Sequence, residues 1–553
     1  MTTSQHTPAE SGQRRVTLYR NGSVYTAADP FASALLVDDG VVAWVGSEQA
    51  ASSIADSSME IVDLQGALVA PGFVDSHIHL TETGIALSGL QLGAVKSAAG
   101  LLDAVAERAS LGHAVILGHG WDDSTWHNRE LPTPEQLERA AAGRPLYLAR
   151  IDVHSALVSP SLAAAAGLHG LDGYSGGAVV TKAAHTAARR FTRNLPEAQR
   201  AGFQERALQE AASQGYVALA EMAAPGISSP EDLRMAMSRN NGPITGPEVL
   251  GYWAELAASE EQAGNLLASL GVPVRGLAGD LNIDGSLGSR TAALRTDYAD
   301  AAGHRGSLYL SVDEAATHLA ICSLLGIQGG FHVIGDAGLD LALEALDRAA
   351  AEVGESRVRA AGHRFEHVEM ADEAAVKRLA HYSVSVSAQP AFDALWGGPG
   401  ALYEQRLGER SRALNPFAAF YSAGVPIAFG SDSPVTPLRP WSSVRACVEH
   451  HNPREQISAR AAFLGHTRAG YRAARYSDPM AGQLVPGAPA SFAVWDVEEL
   501  MVQVSDGRVQ SWSTDPRART PLLPALDTGS DPVCLQTVRA GVEIYSSGDL
   551  RKP

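Results

Sequence analysis

Two histidines one residue apart, His77 and His79, are the first residues of the chain whose types and spacing could do chemistry. They follow a short apolar run that Pro71 and Gly72 open, a pattern that predicts a β-strand. Residues i and i+2 of a strand point to the same face, so both imidazoles would project side by side, as two ligands of one metal ion must. Two ordinary strand histidines would show the same spacing, so further ligands are needed to distinguish the two cases.

Three more polar residues, His332, His367 and Asp432, stand at the ends of predicted apolar strands. Each one alone fits a hydrogen-bonded core histidine or a capping aspartate equally well. On one parallel barrel, however, all five side chains would lie on the catalytic face, at the carboxyl ends of the strands. Four imidazoles and a carboxylate suit zinc or another first-row divalent ion. Such an ion lowers the pKa of a bound water towards ~7, and Asp432 could then accept and return a proton.

The elements that must position these residues lie between about 71 and 477, where apolar strands alternate with helices rich in Ala, Leu and Glu. This alternation predicts an α/β fold with a parallel (β/α)8 barrel. The strand candidates are the His77–His79 strand and residues 114–117, 145–149, 217–220, 274–283, 326–331, 364–368, 383–388 and 425–429. Because that is one more than a barrel needs, we expect one of the pair near 115 and 146 to be an extra element. A doubly wound open sheet is the alternative, but no Gly-x-Gly-x-x-Gly opens a helix after a strand.

Both ends of the chain predict short strands and turns. Residues 14–70 contain hairpin signals such as Asn21-Gly22 and Asp38-Asp39-Gly40, and residues 478–553 return to strand-like runs. The N-terminal sheet has too little apolar content to stand alone. We therefore expect 14–70 and 478–553 to build one β-sandwich domain around a central barrel domain of 71–477.

The composition narrows the range of partners and compartments. With 43 Lys+Arg against 61 Asp+Glu, the net charge of −18 argues against nucleic acid and against an anionic membrane as partners. The three cysteines are far apart, which predicts reduced thiols in a cytoplasmic protein. Residues 1–13 are polar, so we expect no signal peptide, and no apolar stretch is long enough for a membrane span. A homo-dimer is the commonest assembly for such a protein.

A series of motifs in a fixed order carries a resemblance to a known family. They are Pro71–His79, Asp284–Leu294, His332–Asp336, Phe365–His367, Ser387–Pro390, Gly430–Val435 and Gly482–Phe492. On these motifs the chain resembles the amidohydrolase superfamily, and within it the amidohydrolase family 3 or YtcJ-like group. The resemblance implies a distorted (β/α)8 TIM barrel with a composite β-sandwich built from both termini. It also implies that His77, His79, His332, His367 and Asp432 are the metal ligands, with Asp432 also the proton shuttle.

One departure from the family affects the metal site. Many members carry a lysine four residues before the Asp-Gly-Ser motif, and that lysine can be carboxylated and bridge two metal ions. Asp280 occupies this position here. Aspartate cannot form the carbamate and is several bonds shorter, so we expect one metal ion. The alternative is two ions with Asp280 or Glu221 as the bridging carboxylate.

Four residues are candidates for contact with substrate. Trp121 could stack on a substrate ring, His154 could polarise a carbonyl, and Arg290 could anchor a carboxylate. Trp396 lies in a glycine-rich stretch that could form a lid over the pocket. A purely structural role is the alternative for each.

Together these features predict a metal-dependent hydrolase that cleaves an amide or related acyl-nitrogen bond of a small organic molecule. A metal-activated hydroxide would attack the carbonyl carbon, and Asp432 would act as general base and then as general acid. Ester, carbamate or lactone hydrolysis and deamination of a heterocycle are alternatives on the same site, since a fold does not choose among them. A non-catalytic barrel that only binds is the alternative from another class, and the presence of all five ligands argues against it. No Gly-x-Ser-x-Gly elbow supports a covalent serine hydrolase.

Overall fold

The computed structural model describes residues 15–503, 512–513, 521–527 and 529–550. The described residues form two compact units: one contains both ends of the chain, up to Gly72 and from Met480 onwards, and the other is Phe73–Pro479. The polar segment 1–13, residue 14 of the predicted first domain and residues 551–553 of the last lie outside the described residues.

The first unit begins with strands and one short helix. In chain order they are β1 (Val16–Arg20), β2 (Ser23–Val24), β3 (Ala34–Asp38), β4 (Val41–Gly46), α1 (Glu48–Ile54), β5 (Glu60–Asp63) and β6 (Leu68–Pro71). The expected hairpin at Asp38–Gly40 joins β3 to β4, which pair antiparallel. At Asn21-Gly22 no hairpin forms, because β1 pairs with β3 and β5 whereas β2 pairs with β6 in another sheet. Gly22 allows this crossing, since a Cβ there would lie 2.6 Å from the carbonyl oxygen of Ala67.

The second unit alternates strands and helices throughout. Its strands are β7 (Phe73–Ile78), β8 (Leu90–Gln91), β9 (Ile116–Trp121), β10 (Leu146–Arg150), β11 (Ala156–Val158), β12 (Val179–Val180), β13 (Tyr216–Ala223), β14 (Glu248–Trp253), β15 (Gly276–Leu277), β16 (Gln328–Val333), β17 (Arg364–His367), β18 (Ser385–Ala388) and β19 (Ile427–Phe429). Its helices are α2 (Leu80–Ser88), α3 (Ala98–Ser110), α4 (Pro134–Ala140), α5 (Pro160–Ala165), α6 (Lys182–Thr192), α7 (Glu197–Ser213), α8 (Pro230–Ser238), α9 (Glu260–Leu270), α10 (Val312–Leu325), α11 (Asp336–Val353), α12 (Glu355–Ala361), α13 (Glu373–Tyr382), α14 (Pro390–Trp396), α15 (Leu402–Leu407), α16 (Phe417–Ala423), α17 (Pro440–Val448), α18 (Ala459–Gly465) and α19 (Arg468–Ala473).

Two all-parallel sheets position the candidate ligands. One has the order β14-β13-β7 and the other β15-β16-β17-β18-β19. Backbone hydrogen bonds join them at both ends: the Asp432 N–H donates to the His77 carbonyl at 2.8 Å, and the Arg275 N–H donates to the Gly251 carbonyl at 2.8 Å. Every residue of β7, β13, β16, β17 and β18 is buried. Burial on both faces favours apolar residues, and β13 carries the longest such run, whereas polar residues interrupt the other four strands.

The strand assignment from sequence needs three corrections. Both β9 and β10 belong to a separate sheet of order β12-β11-β10-β9-β8, whereas we expected only one of them to be extra. The strand β14 was not predicted, because Gly251 interrupts its apolar run and glycine weakens a strand signal. The long candidate 274–283 is a strand only at Gly276–Leu277, and the chain leaves the extended conformation at Gly279, where φ is +96°.

The C-terminal segment returns to the first unit. Its strands are β20 (Phe492–Asp496), β21 (Leu500–Gln503), β22 (Trp512–Ser513), β23 (Leu523–Pro524), β24 (Val533–Arg539) and β25 (Val542–Ser546). β20 pairs antiparallel with both β6 and β24, so the sheet β2-β6-β20-β24-β25 contains residues from both ends of the chain. Tyr19 of the β4-β3-β1-β5 sheet packs edge-on against Phe492, with ring centroids 5.1 Å apart. Among the described helices, none is long and apolar enough to cross a membrane.

Candidate metal centre

His77 and His79 project from the end of β7 into one cluster. His77 lies within the strand, and His79 is the residue at which α2 begins. Both side chains are buried, and their ring centroids lie 5.2 Å apart. The His-x-His spacing therefore places two imidazoles side by side, as the alternation of a strand requires.

Asp432 joins the two histidines from the segment after β19. Its Oδ1 lies 3.4 Å from Nε2 of His77 and 3.4 Å from Nε2 of His79. Asp75 holds this segment against β7: its Oδ1 accepts the N–H groups of His77 and Ser431 at 3.1 and 2.9 Å, and its Oδ2 accepts the Ser431 hydroxyl at 2.6 Å. The approach of Asp432 to the histidine pair is thus fixed by a buried carboxylate that does not itself face the cluster.

His332 and His367 complete the set of imidazoles from β16 and β17. Their ring centroids are 4.4 Å apart, and the His367 ring is 5.2 Å from that of His77. His367 and Asp432 both have left-handed backbone conformations, with φ of 69° and 53°. Non-glycine residues adopt this region rarely, and such conformations concentrate at functional sites.

Asp280 lies in the middle of the cluster. Its Oδ1 is 3.5 Å from Nε2 of His77 and 3.6 Å from Nδ1 of His332, and its Oδ2 is 3.0 Å from Nε2 of His79. Ligand atoms at about 2.1 Å from one tetrahedral ion lie roughly 3.4 Å apart. The distances from Asp280 and Asp432 to His77 and His79, 3.0–3.5 Å, lie near that separation. Asp280 also reaches His332, so its carboxylate contacts both halves of the cluster.

Each of three histidines has one ring nitrogen held by an acceptor outside the cluster. Nδ1 of His77 donates to Glu366 at 2.8 Å, Nδ1 of His367 donates to the side-chain oxygen of Gln389 at 2.7 Å, and Nε2 of His332 lies 3.3 Å from the Gly285 carbonyl. A neutral imidazole that donates from one nitrogen carries a lone pair on the other. The lone pairs therefore face the cluster, which is the arrangement of metal-bound histidines with an outer hydrogen-bond partner.

Three buried atoms of the cluster residues have no hydrogen-bond partner among the described residues: Nδ1 of His79 and, 3.5 Å apart, Nε2 of His77 and Oδ1 of Asp280. Buried polar atoms are otherwise nearly always bonded, and a cation between a lone pair and a carboxylate would satisfy both. Burial by itself would raise the pKa of Glu366, but Arg364 and His77 lower it to about 2, so this carboxylate stays ionised beside His77. The residues present fit a divalent cation.

Two other acidic groups do not take part in the cluster. Glu221, the alternative bridging carboxylate, accepts the Leu80 N–H at 2.6 Å and so is bonded to the start of α2. Asp393 lies near His450 and His451, but Nδ1 of His450 accepts the Asn452 N–H at 3.0 Å. Nε2 of His450 therefore carries a proton and faces Asp393, which leaves no lone pair for a metal ion.

Two cavities adjoin the cluster on different sides. One of about 590 Å³ is bordered by His79, Asp280 and His154. The other, of about 20 Å³, is bordered by His332, His367 and Asp432 and holds no more than a water-sized group. The larger cavity offers a substrate access to the centre.

The structure brings His154 to the cluster but not Trp121 or Arg290. The His154 ring is 5.2 Å from that of His332 and borders both cavities. Trp121 is only 2% exposed, and its indole N–H donates to the Leu148 carbonyl at 2.8 Å, which holds it within the core of the β8–β12 sheet. Arg290 binds Asp300 through two hydrogen bonds of 3.0 and 2.7 Å.

Trp396 was expected in a lid loop and instead ends α14. It is buried, packs against Phe392 with ring centroids 4.8 Å apart, and borders the 20 Å³ cavity. Sequence reasoning missed the roles of Asp75, Glu366 and Gln389. The first two adjoin ligands in the motifs, but no local signal shows which way their side chains point.

Comparison with known proteins agrees with this geometry. The amidohydrolase family model matches residues 60–545. Protein LONG AFTER FAR-RED 3 of Arabidopsis thaliana is 26% identical over 87% of this chain and 88% of its own length. The N-substituted formamide deformylase of Arthrobacter pascens is 23% identical over 78% of this chain and 84% of its own length. The crystal structure of an uncharacterized metal-dependent hydrolase from Pyrococcus furiosus superposes with a TM-score of 0.68 at 25% identity, covering 87% of this chain and 98% of that one.

The family match spans the histidine pair, Asp280 and the remaining cluster residues, and it confirms the resemblance that the sequence motifs carry. A buried set of imidazoles and carboxylates with lone pairs directed into the cluster is what a metal-dependent hydrolase of this family requires. The chain belongs to the amidohydrolase family and is a metal-dependent hydrolase.

Proposed function

We propose that β7 and β13–β19 close into a distorted (β/α)8 barrel. The parallel pairing of both sheets and the hydrogen bonds from Asp432 to His77 and from Arg275 to Gly251 support closure. We also propose that 14–70 and 478–553 form one composite β-sandwich domain and 71–477 the barrel domain. The sheet that contains β6 and β20 supports the first assignment.

We propose that the enzyme hydrolyses an amide or related acyl-nitrogen bond of a small organic molecule. The observation that carries this proposal is the buried cluster of His77, His79, His332, His367 and Asp432 at the edge of an open cavity. The relative from Arthrobacter pascens is named for the removal of formyl groups from N-substituted formamides, which is a reaction of this class.

We propose zinc as the metal, held by the five predicted ligands together with Asp280. When bound, the ion supplies Lewis acidity and lowers the pKa of water to about 7. The imidazole-rich donor set favours zinc over magnesium or calcium, which prefer oxygen ligands. Asp280 would hold the ion together with His77, His79 and His332, which its carboxylate approaches within 3.6 Å. We propose one ion per chain, with two ions as the alternative.

Asp432 is the proposed general base and then general acid. Its carboxylate lies within the cluster and borders the small cavity. Burial would raise the pKa of Asp432, but the neighbouring imidazoles, His77 first, lower it, so the carboxylate is ionised and ready to accept a proton. It then returns that proton to the leaving nitrogen.

His154 is the proposed hydrogen-bond donor to the substrate carbonyl oxygen. Burial, followed by the nearby His332, lowers the pKa of His154 to about 4. The imidazole is therefore neutral at pH 7 and donates one N–H without adding a full charge to the site. A donor placed where negative charge develops stabilises the transition state.

The test combines metal analysis with hydrolysis. We expect at least one zinc per chain by elemental mass spectrometry, and hydrolysis of N-phenethylformamide in preference to phenethyl formate. His77→Ala should lose both metal and activity, whereas His113→Ala, an exposed histidine, should keep both. Absence of metal after reconstitution would contradict the proposal and favour a binding protein, and cleavage of the ester alone would assign an ester hydrolase.

We place the enzyme in the cytoplasm and expect a small-molecule substrate. The support is the set of free and buried thiols, Cys322, Cys447 and Cys534, which fits a reducing compartment. The homo-dimer expected from the sequence stays a prediction.

A further inference from the structure

The wall of the 590 Å³ cavity contains a largely buried arginine, Arg189 of α6, whose side chain is 11% exposed. Its one described ion pair is a single 3.5 Å contact from Nη2 to Oε1 of Glu82. Glu82 is already bound by Arg193, through hydrogen bonds of 2.7 and 2.5 Å. One carboxylate thus faces two guanidinium groups, and Arg193 has the better geometry.

Part of the Arg189 guanidinium has no hydrogen-bond partner among the described residues. Its Nε is buried without a hydrogen-bond acceptor in the part of the chain that the structure describes. A buried charge without full compensation is costly unless a ligand supplies the missing acceptor. This excess positive charge is local, since the whole chain carries −18.

Neighbouring groups in the same cavity do not compensate Arg189. The two carboxylates of the cavity have other partners: Asp172 is paired with Lys182 at 3.3 Å, and Asp280 is directed towards His79 at 3.0 Å. Nε2 of His185 and the Tyr147 hydroxyl share a hydrogen bond of 2.7 Å. Burial, followed by the charge of Arg189, holds the pKa of His185 well below its ordinary value, so this imidazole is neutral at pH 7.

The rest of the cavity wall mixes polar and apolar residues. Val153, Ala224, Pro225, Ile227 and Leu308 supply apolar surface in the cavity that Arg189 and the metal ligand His79 also border. A ligand that contacts these residues would present an apolar body to them and an anionic group to the guanidinium. The fork of N–H donors on arginine matches a carboxylate in particular.

We propose that Arg189 binds a carboxylate of the substrate, so that the enzyme acts on acyl-nitrogen compounds with an apolar body and a carboxylate end. The part of this inference that names the bond cleaved rests on the proposed function. The part that assigns the carboxylate to Arg189 does not. Arg189 is then a specificity-determining residue, with no part in the chemical step.

The test measures binding rather than turnover. Isothermal titration of the metal-loaded protein with 3-phenylpropionate and with 3-phenylpropanamide compares the same apolar body with and without the charge. We expect the carboxylate to bind about 10- to 100-fold more tightly, the range for hydrogen bonds to a charged group. Arg189→Gln should abolish this preference. Arg190→Gln, the adjacent exposed arginine that does not border this cavity, should keep it.

Three results would overturn the proposal. The first is equal affinity for the two probes in the wild type. The second is a preference that survives in Arg189→Gln, which would show that the carboxylate binds another cation of this cavity, the metal ion or Lys182, instead. The third is loss of the preference in Arg190→Gln as well. Arg189→Met removes the charge at similar length and serves as the second variant if Arg189→Gln does not fold.

Failure of the proposed function would be recognised separately. If no formamide or other amide is cleaved, the hydrolysis proposal fails while the two-probe titration still decides the role of Arg189. With active enzyme, N-formylphenylalanine should be cleaved with a kcat/KM about 10- to 100-fold above that of N-phenethylformamide, and Arg189→Gln should remove that difference.

Discussion

Glu366 connects the stability of the fold to the metal centre, and Glu366→Gln perturbs both. Its two oxygens accept hydrogen bonds of 2.6 and 2.9 Å from Arg364, and Oε2 also accepts from Nδ1 of His77 at 2.8 Å. The side chains of Arg364 and Glu366 are fully buried. Glutamine keeps the shape of the side chain but removes the charge and replaces one acceptor with a donor.

The cost to stability follows from the buried guanidinium that remains. Removing one partner of a buried ion pair costs about 3–5 kcal/mol, because the other charge is left uncompensated. The pKa of Glu366 gives a similar figure: about 2 in the folded protein against an ordinary 4.5 corresponds to about 3 kcal/mol. Because the folded pKa is lowered, this stabilisation is present above pH 4.5 and is lost as the pH falls through about 2.

The cost to metal binding follows from the hydrogen bond to His77. Loss of an outer partner of a metal-bound histidine typically weakens metal affinity about 10- to 100-fold. The glutamine amide can still accept from His77 through its oxygen, but it brings no negative charge to the ring. We therefore expect both lower stability and weaker zinc binding in the same variant.

Urea unfolding of the metal-free protein at pH 7 and a zinc titration against a chelator measure the two effects. Glu373→Gln is the matched control, since Glu373 and Lys377 form an exposed ion pair with side chains 85% and 70% exposed. That pair contributes no more than about 1 kcal/mol. A Glu366→Gln protein with unchanged stability and unchanged zinc affinity would refute the reasoning.

Three further predictions concern single residues of the site. Asp280→Asn should lower the zinc bound per chain or weaken zinc binding by at least about tenfold, since Asp280 lies within 3.0–3.6 Å of three imidazoles. Unchanged zinc content at limiting zinc, measured by elemental mass spectrometry, would contradict this expectation. Asp432→Asn should lower kcat by about 10²–10⁴-fold at saturating zinc, as expected for loss of a general base; wild-type kcat under these conditions would rule out the role. Trp121→Phe should lower the free energy of unfolding by about 1–3 kcal/mol, because the Leu148 carbonyl loses its hydrogen bond, and should leave KM unchanged. A raised KM at unchanged stability would instead indicate that Trp121 contacts the substrate.

The sequence alone determined the ligand types and the strands that carry them. The pairing of His77 with His79 follows from strand alternation, which is a local rule. His332 and His367 were found because each stands near the end of a predicted strand. Strand-helix alternation likewise predicted the α/β class. The sequence did not predict β14, because Gly251 interrupts the apolar run of that strand.

Only the tertiary structure decided which groups meet across the chain. Glu366 lies 289 residues from His77, and Ser431 lies 356 residues from Asp75, so no local pattern could show that they bond. The direction of a side chain at a strand end depends on such partners, which is why Trp121 turns into the core. The same dependence brings Asp280 among the imidazoles, and it leaves Arg189 in the cavity wall with one shared carboxylate.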